Sequence, residues 1–255
     1  MVRLLVLLTW LLPLIAHAAL SPNRPITECT QHLPFGIPTA AKSDTTIICR
    51  PGYALQHDNR AKLPIWVAYE LTTQKALGCS ARAEKFVADD ALPPGARSVP
   101  KDYAKSGYDI GHMANSADAR WSDVASEDTN TLSNAAPQLP GLNRAAWKSL
   151  EVRARSWALE RGRLIIYVGP IYSQRGATTI GKNQVVVPDA FFKVIVDPSS
   201  REVLAFIYPH KPSNEGPEAF RTSLAEVQRQ ARVVLPVVDR PISPINIWAV
   251  NASAI

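Results

Sequence analysis

The apolar positions of this chain follow two different periods, and their order along the chain predicts its architecture. Residues 63–71 (LPIWVAYEL) are rich in aromatic and β-branched side chains and predict a strand. Residues 163–168 (RLIIYV) read as a buried strand, and 184–187 and 190–196 as two more. Asp197-Pro198-Ser199-Ser200 has turn chemistry and leads into the apolar run 202–208, so 190–208 is expected to form a hairpin. Elsewhere the period lengthens. Ala146, Leu150 and Trp157 recur among Arg144, Lys148, Arg153 and Arg155, which predicts a helix over 142–160 that Gly162 stops. Ser223 and Glu226 stand at capping-box spacing and open a second helix to about residue 233. Residues 245–250 predict a last short strand. Residues 19–60 hold several prolines and few periodic apolar positions, so an irregular wrap over the core is expected there. Residues 87–105, with Asp89-Asp90, Pro93-Pro94 and Pro100, are expected to be loop. The strands cluster without regular βαβ alternation. That gives an α+β fold, a mostly antiparallel central sheet flanked by helices.

The first residues follow neither period. MVRLLVLLTWLLPLIAHA has a positive start at Arg3, an apolar run over 4–15, and Ala16-His17-Ala18, the layout of an export signal cleaved after Ala18. The run is short for a membrane span, and no cysteine follows it to carry a lipid. The expectation is one domain over 19–255, periplasmic or extracellular, with no stable membrane association after cleavage. Losing 1–18 takes the net charge from +6 to +5, since only Arg3 is removed. That balance, with a pI near 9.3, suits an anionic partner. Cys29, Cys49 and Cys79 remain, and in an oxidising compartment two are expected to pair. Cys29–Cys49 is favoured because it would staple the loop-rich N-terminal segment, leaving Cys79 as a buried thiol. The other two pairings stay open.

The candidate chemistry lies in residues 108–151, which read YDIGHMANSADARW and, further on, TLSNAAPQLPGLNRAAWKSLE. His112 ends an apparently extended segment, and Asn134, Asn143 and Glu151 follow it. Phosphodiester hydrolysis needs a base for water, a hard cation on the phosphate and a group to orient that cation. A His with Asn and Glu, lacking cysteine ligands, suits Mg²⁺, whose ligands are oxygens and retained waters. Neutral imidazole is available as a base near neutrality. On the expected helix Asn143, Trp147 and Glu151 stand four residues apart, so Asn143 and Glu151 are expected within ~80° of each other. On helix grammar alone an N-cap asparagine and a solvated glutamate fit as well. Asn134 alone reads as a turn residue ahead of Pro137. Arg144, Lys148 and Arg153 read equally as a solvated face or a phosphate track. The five histidines, His17, His32, His57, His112 and His210, are scattered, with no C-x-x-C pair for a structural zinc site.

Asp109-Ile110-Gly111-His112 resembles the Asp-Arg-Gly-His motif of the DNA/RNA non-specific endonucleases, the ββα-metal nucleases. Ser133-Asn134 with Pro137-Gln138, then Asn143, Trp147 and Leu150-Glu151, resemble the later blocks at the same spacing. So do Gly169-Pro170-Ile171-Tyr172, Val187-Pro188 and Phe191-Phe192-Lys193. Arg82, Phe86 and 89–93 (DDALP) are similar to the block that supplies an arginine for the transition state. The similarity covers residues 66–233. It implies a ββα-metal fold and a nuclease acting on DNA and/or RNA through their phosphates, giving 5′-phosphorylated products. His112 would be the general base and Arg82 would stabilise transition-state charge. Asn134 would orient His112 or the phosphate. Asn143 would be the direct ligand of Mg²⁺, with Mn²⁺ or Ca²⁺ as substitutes, and Glu151 would hold its waters. Asp109 would support the loop. One position departs from the pattern: Ile110 stands where the family has arginine. Arg82, with Arg120 or Arg144, is then expected to supply the missing charge, with Arg120, Arg144 and Lys148 as substrate-binding residues. The competing expectation is a nucleic-acid-binding protein of this fold whose catalysis Ile110 has weakened. A secreted scaffold that kept only the fold is a further one.

Overall fold

Alternation along the strands sorts the core into two layers. In the strand Arg163–Ile171, Leu164, Ile166 and Val168 join one apolar cluster, while Ile165 and Tyr167 join the other. That period of two is what a sheet covered on both faces requires. A computed structural model describes residues 20–173, 176–237 and 248. The export signal over 1–18 and the strand expected at 245–250, Trp248 apart, lie outside the described residues.

The central sheet has seven strands, all antiparallel to their neighbours. They are β1 (Thr45–Cys49), β2 (Ala54–Asp58), β3 (Leu63–Thr72), β6 (Arg163–Ile171), β7 (Ala190–Val196), β8 (Val203–Pro209) and β9 (Arg221–Thr222), in the spatial order β9-β8-β7-β6-β3-β2-β1. Between β3 and β6 the chain leaves the sheet and forms a two-stranded ribbon, β4 (Asp109–His112) with β5 (Ala135–Gln138). Helix α1 (Asp123–Thr129) lies between those two strands in sequence. A wide π-turn, Leu142–Trp147, then runs into α2 (Lys148–Arg161), and Gly162 at φ +82° ends it as the glycine signal predicts. The turn, α2 and the ribbon cover one face of the sheet. The 3₁₀ turn Ile26–Cys29 and α3 (Leu224–Ala231) cover the other. No helix among the described residues is long and apolar enough to cross a membrane.

The hairpin expected over 190–208 forms with Asp197 as its turn acceptor, taking N–H bonds from Ser199 (2.8 Å) and Ser200 (3.2 Å). Ser223 caps α3 by accepting from the Glu226 N–H at 3.1 Å. The Glu226 carboxylate turns to Arg229 and Gln230 instead of closing the box. Two expectations are corrected. Residues 19–60 are not an irregular wrap throughout, because 45–49 and 54–58 supply the outer two strands of the sheet. Polar Thr45 and Thr46 pair with Asp58 and His57 there, so the apolar period is weak although the backbone ladder is regular. Cys79 is exposed, not buried. The expected disulfide is present: Cys29 and Cys49 are joined, with Cα atoms 5.9 Å apart.

The bridge ties the 3₁₀ turn to β1 across a sequence separation of 20, a loop worth about 3 kcal/mol in chain entropy. Replacing both Cys29 and Cys49 by Ser should therefore lower Tm by roughly 6–12 °C in calorimetry. Cys79→Ser, on the surface, should move stability by no more than about 0.5 kcal/mol.

Candidate active site

Gly111 sets the ribbon's packing. A Cβ there would sit 2.3 Å from Gln138 Oε1 across the strand pair, so only glycine lets the Gln138 side chain lie over β4. At the end of that strand His112 is half-buried, its ring centroid 4.7 Å from that of Phe86. His112 Nε2 lies 2.9 Å from Asn130 Oδ1. The Asn130 amide nitrogen is spent on the carbonyls of Ala83 (2.9 Å) and Lys85 (3.4 Å), so its oxygen faces the ring and can only accept. Nε2 therefore carries the proton, and Nδ1 is left as the basic nitrogen. Burial, with a smaller push from Arg82, lowers the imidazole to about 4, so it is neutral at any moderate pH.

The same amide reaches the other side of the site. Ala83, whose carbonyl it holds, follows Arg82 directly. The Ser126 hydroxyl accepts from the Ala83 N–H (3.0 Å) and donates to the Ala81 carbonyl (2.9 Å). Residues 81–83 are thus pinned at both peptides while the Arg82 side chain stays exposed. It forms no ion pair among the described residues, yet acts on His112 through its charge. Val87 bridges to Thr131 in parallel and closes this connection.

Asp109, at the other end of β4, accepts three bonds. Arg144 grips it with both guanidinium edges (Nε to Oδ2 2.8 Å, Nη2 to Oδ1 2.6 Å), and the Asn143 amide nitrogen donates to Oδ2 at 3.0 Å. These partners hold the Asp109 carboxyl below its ordinary range. With its nitrogen so committed, Asn143 has its carbonyl oxygen left for a cation. Asp109 and His112 are the first and last residues of a four-residue strand, about 10 Å apart along the backbone.

Glu151 sits one turn into α2. Its carboxylate is 3.9 Å from Lys193 Nζ, a fully buried ammonium rising from β7 and lying 4.4 Å from the centre of the Trp147 ring. Burial raises the Glu151 carboxyl to about 7, against the pull of Lys193. Asp118 and Arg155, paired at 3.0 Å, complete the charged cluster beneath it, and Tyr69 donates to Asp118 at 2.9 Å. Among the described residues the buried Trp147 Nε1 and Lys193 Nζ, both beside the Glu151 carboxylate, make no hydrogen bond of good geometry, and neither do the amide atoms of Gln138. Such groups are satisfied by ordered water. Asn143 offers an amide oxygen and Glu151 a carboxylate, the kinds of oxygen group that suit a hard cation retaining most of its waters. Among the described residues no three His, Cys, Asp or Glu side chains gather into a cage.

Three sequence expectations change here. Asn134 does not touch His112: its oxygen accepts from Ala114 N–H (2.8 Å) and its nitrogen donates to the carbonyls of Ala114 and Thr129. It holds the backbone beyond His112, and Asn130 is the amide on the imidazole. Arg120 donates to the carbonyls of Ser80 (2.7 Å) and Cys79 (3.4 Å), bracing the approach to Arg82. The first turn after Gly141 is π rather than α, so the 40° step does not apply from Asn143 to Trp147. Ile110 joins the core as a partly buried apolar residue. Lys148 is exposed. Asn130 was missed because nothing in the polar run 127–131 distinguishes a buried amide from a turn residue.

The family model for DNA/RNA non-specific endonucleases matches residues 31–235. The chain is 33% identical over 210 residues to mitochondrial endonuclease G of Homo sapiens, covering 76% of this chain and 69% of that protein. It is 32% identical over 226 residues to a nuclease of Nostoc sp., covering 80% and 81%. A crystal structure of the EndoG/EndoGI complex superposes with a TM-score of 0.74 at 30% identity, over 81% of this chain and 90% of that one. The chain belongs to the DNA/RNA non-specific endonuclease family.

Proposed function

We propose that this protein is an exported, Mg²⁺-dependent endonuclease that hydrolyses phosphodiester bonds of DNA and/or RNA and leaves 5′-phosphates. The observation that carries the reading is a neutral imidazole with one free basic nitrogen, tethered by a single amide to the peptide beside an exposed arginine that forms no ion pair among the described residues. His112 Nδ1 takes the proton of the attacking water, and the Nε2–H bond to Asn130 holds the ring in the tautomer that allows it. Arg82 offers a guanidinium to the phosphate as negative charge builds on its oxygens. Asn143 would hold Mg²⁺ through its amide oxygen, and Glu151 would hold waters of that ion. Bound there, Mg²⁺ supplies Lewis-acid polarisation of the phosphate and charge for the departing 3′-oxygen. Arg144, held beside Asn143 by Asp109, brings a second guanidinium where Ile110 offers none. Export is supported by the leader pattern over 1–18 and by the Cys29–Cys49 bridge, a bond suited to an oxidising compartment.

Purified protein should cut plasmid DNA, RNA or both in Mg²⁺ and stop in EDTA. Retardation of DNA without cutting at any divalent concentration would overturn the reading in favour of a binding protein. His112→Ala should lower the cleavage rate by roughly 10²–10⁴ while DNA retention in gels persists. Asn130→Ala should cost about 10–100-fold, as orienting partners do.

The pH dependence follows from Glu151. Its raised pKa means the carboxylate takes up a proton as pH falls through about 7, losing the charge that attracts a cation. Cation affinity, titrated calorimetrically without nucleic acid, should fall below pH 7, and Glu151→Gln should remove that slope. His112, near 4, should not contribute to it.

A further inference from the structure

A second histidine, outside the ribbon, has both ring nitrogens bonded. His210 follows β8 directly. Leu139 N–H donates to its Nε2 at 2.8 Å, and its Nδ1–H donates to the Pro188 carbonyl at 2.7 Å. A ring that accepts at Nε2 and donates at Nδ1 is neutral and locked in one tautomer. Phe191 meets it edge-on at 5.1 Å, and Tyr108 lies against it at 5.7 Å. The contact continues along the next residues. Ser213 N–H donates to the Gly141 carbonyl, and Ala146 N–H donates to the Ser213 carbonyl, both at 3.2 Å. Pro212 closes over Gly141 so tightly that a Cβ there would come within 2.8 Å of it.

The links to Leu139, Gly141 and Ala146 all fall within residues 139–146, the segment that carries Asn143. The Leu139 carbonyl accepts from the N–H groups of both Leu142 and Asn143 at 2.9 Å, so fixing the Leu139 peptide fixes the start of that turn. Ala146 gives its N–H to Ser213, and in an α-helix that N–H would go to the carbonyl four residues back. The turn Leu142–Trp147 is wide where this happens. We infer that His210 is a positioning residue for the cation site: with Ser213 it holds the turn in the wide form that aims the Asn143 oxygen. This rests on the metal-holding role given to Asn143 above. Both ring nitrogens of His210 are spent on backbone groups, and the Ser213 hydroxyl accepts from the Glu215 N–H at 3.1 Å. Their effect passes through the backbone on both sides of Asn143.

His210→Phe keeps an aromatic ring between Phe191 and Tyr108 but removes both nitrogens, and His210→Gln restores an acceptor within reach of Leu139 N–H. Gly141→Ala, by crowding Pro212, displaces the same segment without touching the histidine. Mg²⁺ and Mn²⁺ binding would be measured by calorimetry on the intact protein without nucleic acid, well below each variant's Tm. His210→Phe and Gly141→Ala should each weaken binding about tenfold or more, and His210→Gln should recover most of it. Wild-type affinity in both weakening variants, even with a lowered Tm, overturns the inference and leaves the nuclease reading standing. A wild-type protein that takes up neither cation overturns both.

Discussion

The site depends on a charge that water cannot reach. Arg50, 2% exposed, lies between the carboxylates of Asp89 and Asp128 and also donates to the Ser21 carbonyl. Both terminal nitrogens of this guanidinium are answered while Nε has no hydrogen-bond partner among the described residues, and removing one carboxylate from such a buried cluster costs roughly 3–5 kcal/mol. Each partner leads somewhere useful. Asp89 accepts from Ser133, Asp128 accepts from Ser21, and Tyr53 OH donates to the Asp128 carbonyl at 2.9 Å. Between Asp128 and Ser133 lies Asn130, which holds His112. The disulfide joins Cys29 to Cys49, the neighbour of Arg50. The outer strands of the sheet are thereby linked to the imidazole through one cluster.

Burial then gives two titratable groups opposite characters. It makes His112 a weak proton acceptor that stays neutral, and it makes Glu151 a carboxyl that ionises only near neutrality. Two groups in one family of sites, moved in opposite directions by the same desolvation, can serve as base and cation holder at a shared pH. Lys193 sharpens the contrast. Alone among the side chains of β7 it is charged, and it enters the apolar layer on the face where Trp147 and Glu151 await it.

What the sequence disclosed follows the strength of its physical signals. Strands with apolar side chains on both faces, such as Arg163–Ile171 and Ala190–Val196, announce themselves by composition. The edge strand Thr45–Cys49 and its neighbour Ala54–Asp58 do not, because the first is only partly buried at Thr45, Thr46 and Ile47 and the second carries Gln56, His57 and Asp58 in place of an apolar run. His112, Asn143, Glu151 and Arg82 stand out as candidates only because several short blocks recur at family spacing. Asn130 and Asn134 are both asparagines in a polar stretch, four residues apart, and only the fold decides which amide faces the ring. Arg144 fits a solvated face or a phosphate contact equally in the sequence, and the fold pairs it with Asp109 while leaving it largely exposed. The π-turn was invisible, since its cause lies in a segment some seventy residues downstream.

That widened turn has an evolutionary side. One surplus residue in a helix shifts everything after it by about 100° of rotation. The angular relation between the amide of Asn143 and the carboxylate of Glu151 therefore hangs on chain length within a single turn as much as on which residues are present. A one-codon deletion there would preserve every recognisable block of the sequence and still swing its two halves out of alignment. Descendants of this gene can lose their chemistry without losing a single signature residue.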